Sequence, residues 1–243
     1  MRSNFCKMKK IKFLIVALAA VTFLVSCNDE SGEYARYTFT NAQKKAAITK
    51  CLNVSLDSAL THLCANNGFY SYNNNAYRID YSDLCAYVFD TLQNHGYGDL
   101  TDSLVLYTNV MAQNCKVPLD SAFTKAIKSL EFSDYDALIT GDDDAITNYL
   151  EYNKYREIKS YLQSPVSIRM NVFHINDKWN AVMTQYQQYN SLPVNVDLQG
   201  YIIDGMIDAV FSEMRVQESI IRNDSVYRAK IDSTLGVIFE RIF

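Results

Sequence analysis

"ITKCLNVSLDSALTHL", residues 48–63, decides the fold. Ile48, Leu52, Leu56, Ala59, Leu60 and Leu63 recur every three or four residues, which draws one apolar stripe along a helix of about five turns. A half-buried strand would alternate apolar and polar residues with period two, and no stretch of the chain does so convincingly. Helical spacing continues downstream. Leu84, Cys85, Val88 and Leu92 line a second helix, capped by Asp80 or Ser82 and ended by "HGYGD" (95–99), since glycine is favoured just past a helix terminus. Asp99 or Thr101 opens a third through Leu104, Tyr107, Met111 and Cys115. Pro118 sits early in the next, where its missing N–H costs little, and Ala122, Phe123, Ala126, Ile127 and Leu130 form its buried face.

"SDYDALI" (133–139) reads as one short turn of helix ending at Gly141. The stretch 142–162 is a longer helix that Pro165 is expected to break or kink. Two shorter stretches follow, around Ile168–Phe173 and Trp179–Tyr189, then the loop "NSLPVNVD" (190–197). Ile202, Met206, Val210, Phe211 and Met214 mark a long helix reaching Arg222. A last helix runs from Ser225 to the C-terminus with Ile231, Leu235, Ile238 and Ile242 inward. The expectation is an all-α protein, a single compact multi-helix domain of about nine helices over residues 41–243.

The start of the chain has a different character. Lys9, Lys10 and Lys12 precede "FLIVALAAVTFLV" (13–25), the basic and apolar regions of a secretory signal. The apolar run is shorter than the roughly 20 residues a spanning helix needs. It closes on "LVSC" (24–27), which resembles the bacterial lipoprotein box. That resemblance implies cleavage before Cys27 and diacylation of its thiol, so residues 1–26 are a signal peptide, 27–40 a tether, and the membrane is a partner through lipidated Cys27. Met8 is the more usual start for such a signal. Asn28 points to the outer membrane. The acidic "NDESGE" (28–33) resembles the surface-export signals of Bacteroidetes-type lipoproteins, and a plain acidic tether would look the same; the periplasmic face and the cell surface both stay open.

Removing residues 1–26 takes away five basic residues and no acidic one, leaving 18 basic and 27 acidic residues, a net charge of −9. Such a surface repels nucleic acid. Four cysteines follow Cys27: Cys51, Cys64, Cys85 and Cys115. Cys51 and Cys64 share a helix and stand roughly 20 Å apart, too far to bond to each other. Each could pair with Cys85 or Cys115, or all four could be buried thiols acting as small apolar residues.

Catalytic signatures are sparse. "GDDD" (141–144) fits a calcium loop poorly, because its glycine precedes the acids and the twelfth position is Asn153. Three acids opening a helix serve better as caps and dipole partners. His62, His95 and His174 belong to no metal motif. No cofactor or metal is expected, and an enzyme would need titratable groups to converge in a cleft, such as His174 with Glu218 or Asp208. The loop 66–81, "NNGFYSYNNNAYRIDY", carries Phe69, Tyr70, Tyr72 and Tyr77 off any helical stripe. These aromatics are either anchors for a partner or a lid folded onto the helices.

Several segments together resemble the domain of unknown function 4197 family, over roughly residues 48–243. "NNGFY" (66–70) and "YRI" (77–79) match its glycine-aromatic loop, without the proline that follows in the family. "AFTKAI" (122–127), "DALITG" (136–141) and "AITNYL" (145–150) match its central segments, with Ile146 for the usual Ala and Leu150 for the usual Phe. Pro165, Val166 and the Tyr186 and Tyr189 region follow in order. Asp208, Phe211, Glu218, Ile221, Arg222 and Arg228 fall at the family's spacing, with Ala209 for its Gly and Ser225 for its Pro. "NVMAQ" (109–113) stands where the family commonly has "NRAAE". The resemblance supports the all-α fold and supplies no function. It picks out Glu218, Arg222 and Arg228, which form either a structural ion pair between the last helices or a site for an anionic group.

The expected function is a lipid-anchored cell-envelope protein that acts as a binding or scaffold module, not an enzyme. Its partner is an envelope protein or an apolar small ligand. The alternatives are a carrier of an apolar ligand and an enzyme without a recognisable motif. Phe69, Tyr70, Tyr77, Arg78, Glu218, Arg222 and Arg228 are the candidate binding residues.

Overall fold

Thr40 sets the point where the helical body begins. Its hydroxyl accepts the Gln43 amide at 3.3 Å while the Gln43 side chain accepts the Thr40 amide at 2.9 Å, a reciprocal cap that satisfies donors otherwise left free at a helix start. From there α1 (Asn41–Leu63) buries Ile48, Leu52, Leu56, Ala59, Leu60 and Leu63, the stripe that the sequence draws. The computed structural model describes residues 38–191 and 194–240; the expected signal peptide of residues 1–26, Cys27 and Ile242 lie outside the described residues.

Ten more helices follow: α2 (Gly68–Asn75), α3 (Ser82–Asn94), α4 (Gly98–Gln113), α5 (Lys116–Lys128), α6 (Tyr135–Thr140), α7 (Ala145–Val172), α8 (Ile175–Tyr186), α9 (Leu198–Asn223), α10 (Ser225–Ile231) and α11 (Ser233–Ile238). No strand occurs among the described residues, and Phe39–Phe243 forms one compact unit. The centre is α9. It is apolar around most of its circumference, from Ile202 and Ile203 to Ile221, as a helix packed on several sides must be. α1 and α7 flank it, α5 bridges those two, and α4 packs on α8 and α2. No helix among the described residues is long and apolar enough to cross a membrane.

Four local expectations need correction. Part of the 66–81 loop is helical, as α2, although Tyr72, Asn73 and Asn74 break its geometry. Pro165 does not break its helix. α7 runs through it to Val172, because Ile158, Leu162, Val166 and Met170 form a continuous buried stripe past the proline. At roughly 1.5–3 kcal/mol per buried side chain, that stripe exceeds the cost of about 3 kcal/mol for an interior proline. The last helix is two, since Asp232 is extended (φ −166°, ψ 131°) between α10 and α11. Neither Asp80 nor Ser82 occupies the cap position of α3. Tyr81 does, in the left-handed region (φ 64°). Burial of its ring, stacked on Tyr201 at 5.4 Å, and a 2.6 Å bond from its hydroxyl to Thr108 hold that conformation.

The four cysteines are free thiols in this structure. Cys51, Cys85 and Cys115 are buried and Cys64 is half-buried.

Candidate functional site

Residues 66–81 cross the α9 surface as a strap, and its first anchor is Gly68. A Cβ there would meet the Leu63 carbonyl oxygen at 2.2 Å, so only glycine lets the chain turn this tightly off α1. Phe69 follows and is fully buried. The far end is held at Ile79. Asn109 of α4 accepts the Ile79 amide at 3.0 Å and donates to the Ile79 carbonyl at 2.9 Å. Gly205 of α9 allows the Ile79 side chain to lie against the helix, where an added Cβ would approach it to 3.1 Å.

Between the anchors sits a buried carboxylate that sequence reasoning missed. Glu213 of α9 is 1 % exposed. It accepts the Tyr77 hydroxyl at 2.7 Å, the Gln217 amide at 2.9 Å and, at the longer distance of 3.5 Å, the Tyr72 hydroxyl. His62 Nδ1 of α1 lies 2.7 Å from Glu213 Oε1, the oxygen that also accepts from Gln217 and Tyr72. A carboxylate out of water is tolerable only with such a set of donors. Burial and the bond to Glu213 push the Tyr77 hydroxyl up to about 12, so it stays a donor at neutral pH. The signal was available. Glu213 falls on the buried face with Val210, Phe211 and Met214, and a carboxylate there demands partners.

Beside this cluster lies a cleft of about 400 Å³, with the strap segment Asn75–Asp80 as one wall and α9, from Tyr201 to Ser212, as the other. Arg78 stands on the strap wall, 5.7 Å over the Tyr70 ring. Its Nε is buried and has no hydrogen-bond partner. Asp204 and Asp208 stand on the opposite wall. Tyr155 of α7 donates to both, at 3.1 and 3.0 Å, and Lys159 pairs with Asp204 at 2.7 Å. Desolvation, with Asp204 and Glu151 nearby, raises the Asp208 carboxyl above the ordinary aspartate range, partly offset by the Tyr155 bond.

Glu218, Arg222 and Arg228 come together elsewhere. Glu218 Oε1 and Oε2 accept the amides of Ile146 and Thr147 at 3.0 and 2.7 Å. That is the cap of α7, the task expected of the 142–144 aspartates; Asp144 occupies the cap position without a side-chain cap bond. Asp143 instead accepts from Asn223 of α9 at 2.9 Å. Arg222 donates to Glu218 and to the carbonyls of Leu138 and Ile139 at the end of α6. Arg228 donates to the carbonyls of Ile221 and Arg222 at the end of α9. All three side chains are buried; Glu218 and Arg222 form a structural ion pair, and Arg228 ties α10 to the end of α9 while its Nε is buried without a hydrogen-bond partner.

His174 is not brought to Glu218 or Asp208; it pairs with Asp177 at the surface, at 2.9 Å. Among the described residues no group of three or more His, Cys, Asp or Glu side chains is arranged to hold a metal ion. Of the loop aromatics, Phe69 and Tyr77 are buried, Tyr70 is half-buried and Tyr72 is exposed, so most of them fold onto the helices rather than forming a docking face.

Residues 38–240 match the profile of the family described as "Protein of unknown function (DUF4197)", and the chain belongs to that family. No curated protein and no solved structure matches the chain.

Proposed function

We propose that this member of the DUF4197 family is a lipid-anchored envelope protein whose helical body binds a small polar ligand in the cleft between the strap and α9. The anchor is Cys27 of the "LVSC" box, and the outer membrane is its site. The ligand carries an anionic group, a carboxylate or a phosphate, that Arg78 receives. One observation carries this reading: the guanidinium on the cleft wall has a buried Nε without an acceptor. An unsatisfied buried donor costs about 1–3 kcal/mol, and a charged acceptor on a ligand would relieve it with a bond of above-average strength. Asp204 and Asp208 across the cleft suit a hydroxyl or amine at the ligand's other end. The polar walls of this cleft suit a polar ligand better than an acyl chain.

The test is thermal unfolding of the full-length protein in detergent, with pools of small organic acids and phosphate esters added. A ligand present at one hundred times its Kd stabilises by about 2.7 kcal/mol, a shift of several degrees. The reading requires such a shift for wild type and its loss in Arg78→Met. A shift that survives Arg78→Met would place the ligand elsewhere.

A further inference from the structure

The strap is attached to the rest of the molecule in an uneven way. Between residues 70 and 78 its backbone bonds are local: Ser71 donates to Asn67 O, Ala76 to Asn73 O and Arg78 to Asn75 O, whereas the Asn67 amide donates to Gln113 Oε1 of α4 at 3.0 Å. Its ends are fixed, by the Gly68 turn with buried Phe69 on one side and by the Asn109 clamp on Ile79 on the other. The span between them contains Asn73, Asn74 and Asn75 in succession with φ of 49°, 55° and 66°. Three consecutive left-handed residues with side chains are individually unfavourable, and they persist only where surrounding contacts impose them. The contacts that reach across from this span to α9 are the hydroxyls of Tyr77 and Tyr72 on Glu213. The two tyrosine rings stack at 5.9 Å, and His62, 38 % exposed, closes the cluster from α1.

We propose that residues 70–77 are a lid over the cleft, latched by Tyr77 and Tyr72 on Glu213, and that release of the latch opens the wall that carries Arg78. The inference rests on the cleft as the ligand's seat for its purpose, but the latch itself is a property of the ligand-free protein. The geometry has three parts. The carboxylate sits on α9, the most buried helix, so it is a fixed post. The tyrosines sit on a span whose backbone gains nothing from long-range bonds, so they are the moving part. The left-handed residues Asn73–Asn75 lie within the moving span and store strain that opening relieves. Segments held by few long-range bonds open with small free energies while the surrounding core stays closed.

The experiment is amide hydrogen exchange on the full-length protein in detergent, without ligand, comparing wild type with Tyr77→Phe. Phenylalanine keeps the ring stack and removes only the hydroxyl. The expected result is at least tenfold faster exchange across 70–77, with α1, α9 and the Ile79 amide unchanged, and a matching rise in labelling of Arg78 by phenylglyoxal. Tyr72→Phe, at a partly exposed position, should give a smaller acceleration confined to the same span. Unchanged exchange at 70–77 in both variants would overturn the latch. So would an acceleration spread equally over α1 and α9, which would make these bonds part of global stability. Neither outcome depends on finding a ligand, so the lid and the ligand reading fail separately.

Discussion

The carboxylate of Glu218 accepts the Thr147 amide at 2.7 Å across 71 residues of sequence. One side chain near the end of α9 therefore closes the start of α7, and Arg222, 2.7 Å away on the next turn, ties the same carboxylate to the end of α6.

That arrangement predicts a large and asymmetric response to mutation. Glu218→Leu leaves Arg222 buried without its counter-ion and should destabilise by about 3–5 kcal/mol. The double variant Glu218→Leu, Arg222→Met removes both charges and should recover part of the loss. Urea unfolding of wild type, Glu218→Leu, Arg222→Met and the double variant gives the coupling; equal losses in Glu218→Leu and the double variant would show that the cap bonds, not the ion pair, dominate.

Gly68 is a second sensitive position. Gly68→Ala drives a methyl group into the Leu63 carbonyl, and the cost should exceed about 1 kcal/mol. A thermal melt lowered by several degrees, with little change in helical circular dichroism, is the expected outcome; an unchanged melt would mean that the turn off α1 relaxes freely.

The thiols predict a pH dependence. Burial raises Cys85 and Cys115 to about 11 and Cys64 to about 12, with neighbouring Cys115 adding to the rise at Cys64. In the unfolded chain a thiol titrates at about 8.5. Between those values the folded protein holds more protons than the unfolded one, so stability falls as pH rises from about 8.5 toward 11. At pH 8 native alkylation by iodoacetamide should be about a hundredfold slower than in urea, followed by mass spectrometry. Rapid native labelling of Cys64 would show that it is more open than its half-buried position implies.

Much of this fold is legible in the sequence because helix burial leaves a period. The stripes of α1, α5 and α9 are read correctly, and the short turn over 133–139 ending at Gly141 is α6. What is not legible is decided by partners far along the chain. Pro165 is a local signal to stop, overruled by a stripe that packs against other helices. The 142–144 aspartates are a local signal to cap, and Glu218 takes the task from more than 70 residues away. Of the candidate binding residues, Phe69 and Tyr77 turn inward, drawn by the Gly68 turn and by Glu213. Tyr77 and Arg78 do reach the cleft, while Glu218 turns to α7, Arg222 to α6 and Arg228 to the end of α9.

The proposed anchor has its own prediction. In the native host, Cys27→Ala should move the protein from the detergent phase to the aqueous phase of a Triton X-114 partition, since acyl chains supply the membrane affinity. Retention in the detergent phase would remove lipidation from the account.

The most direct measurement is native mass spectrometry of the full-length protein extracted gently from its own host's envelope. The account predicts a bound small molecule of polar, anionic character on the wild type that is absent from Arg78→Met extracted in the same way. A wild-type protein that carries no such mass, or an acyl lipid bound equally by both, would contradict it.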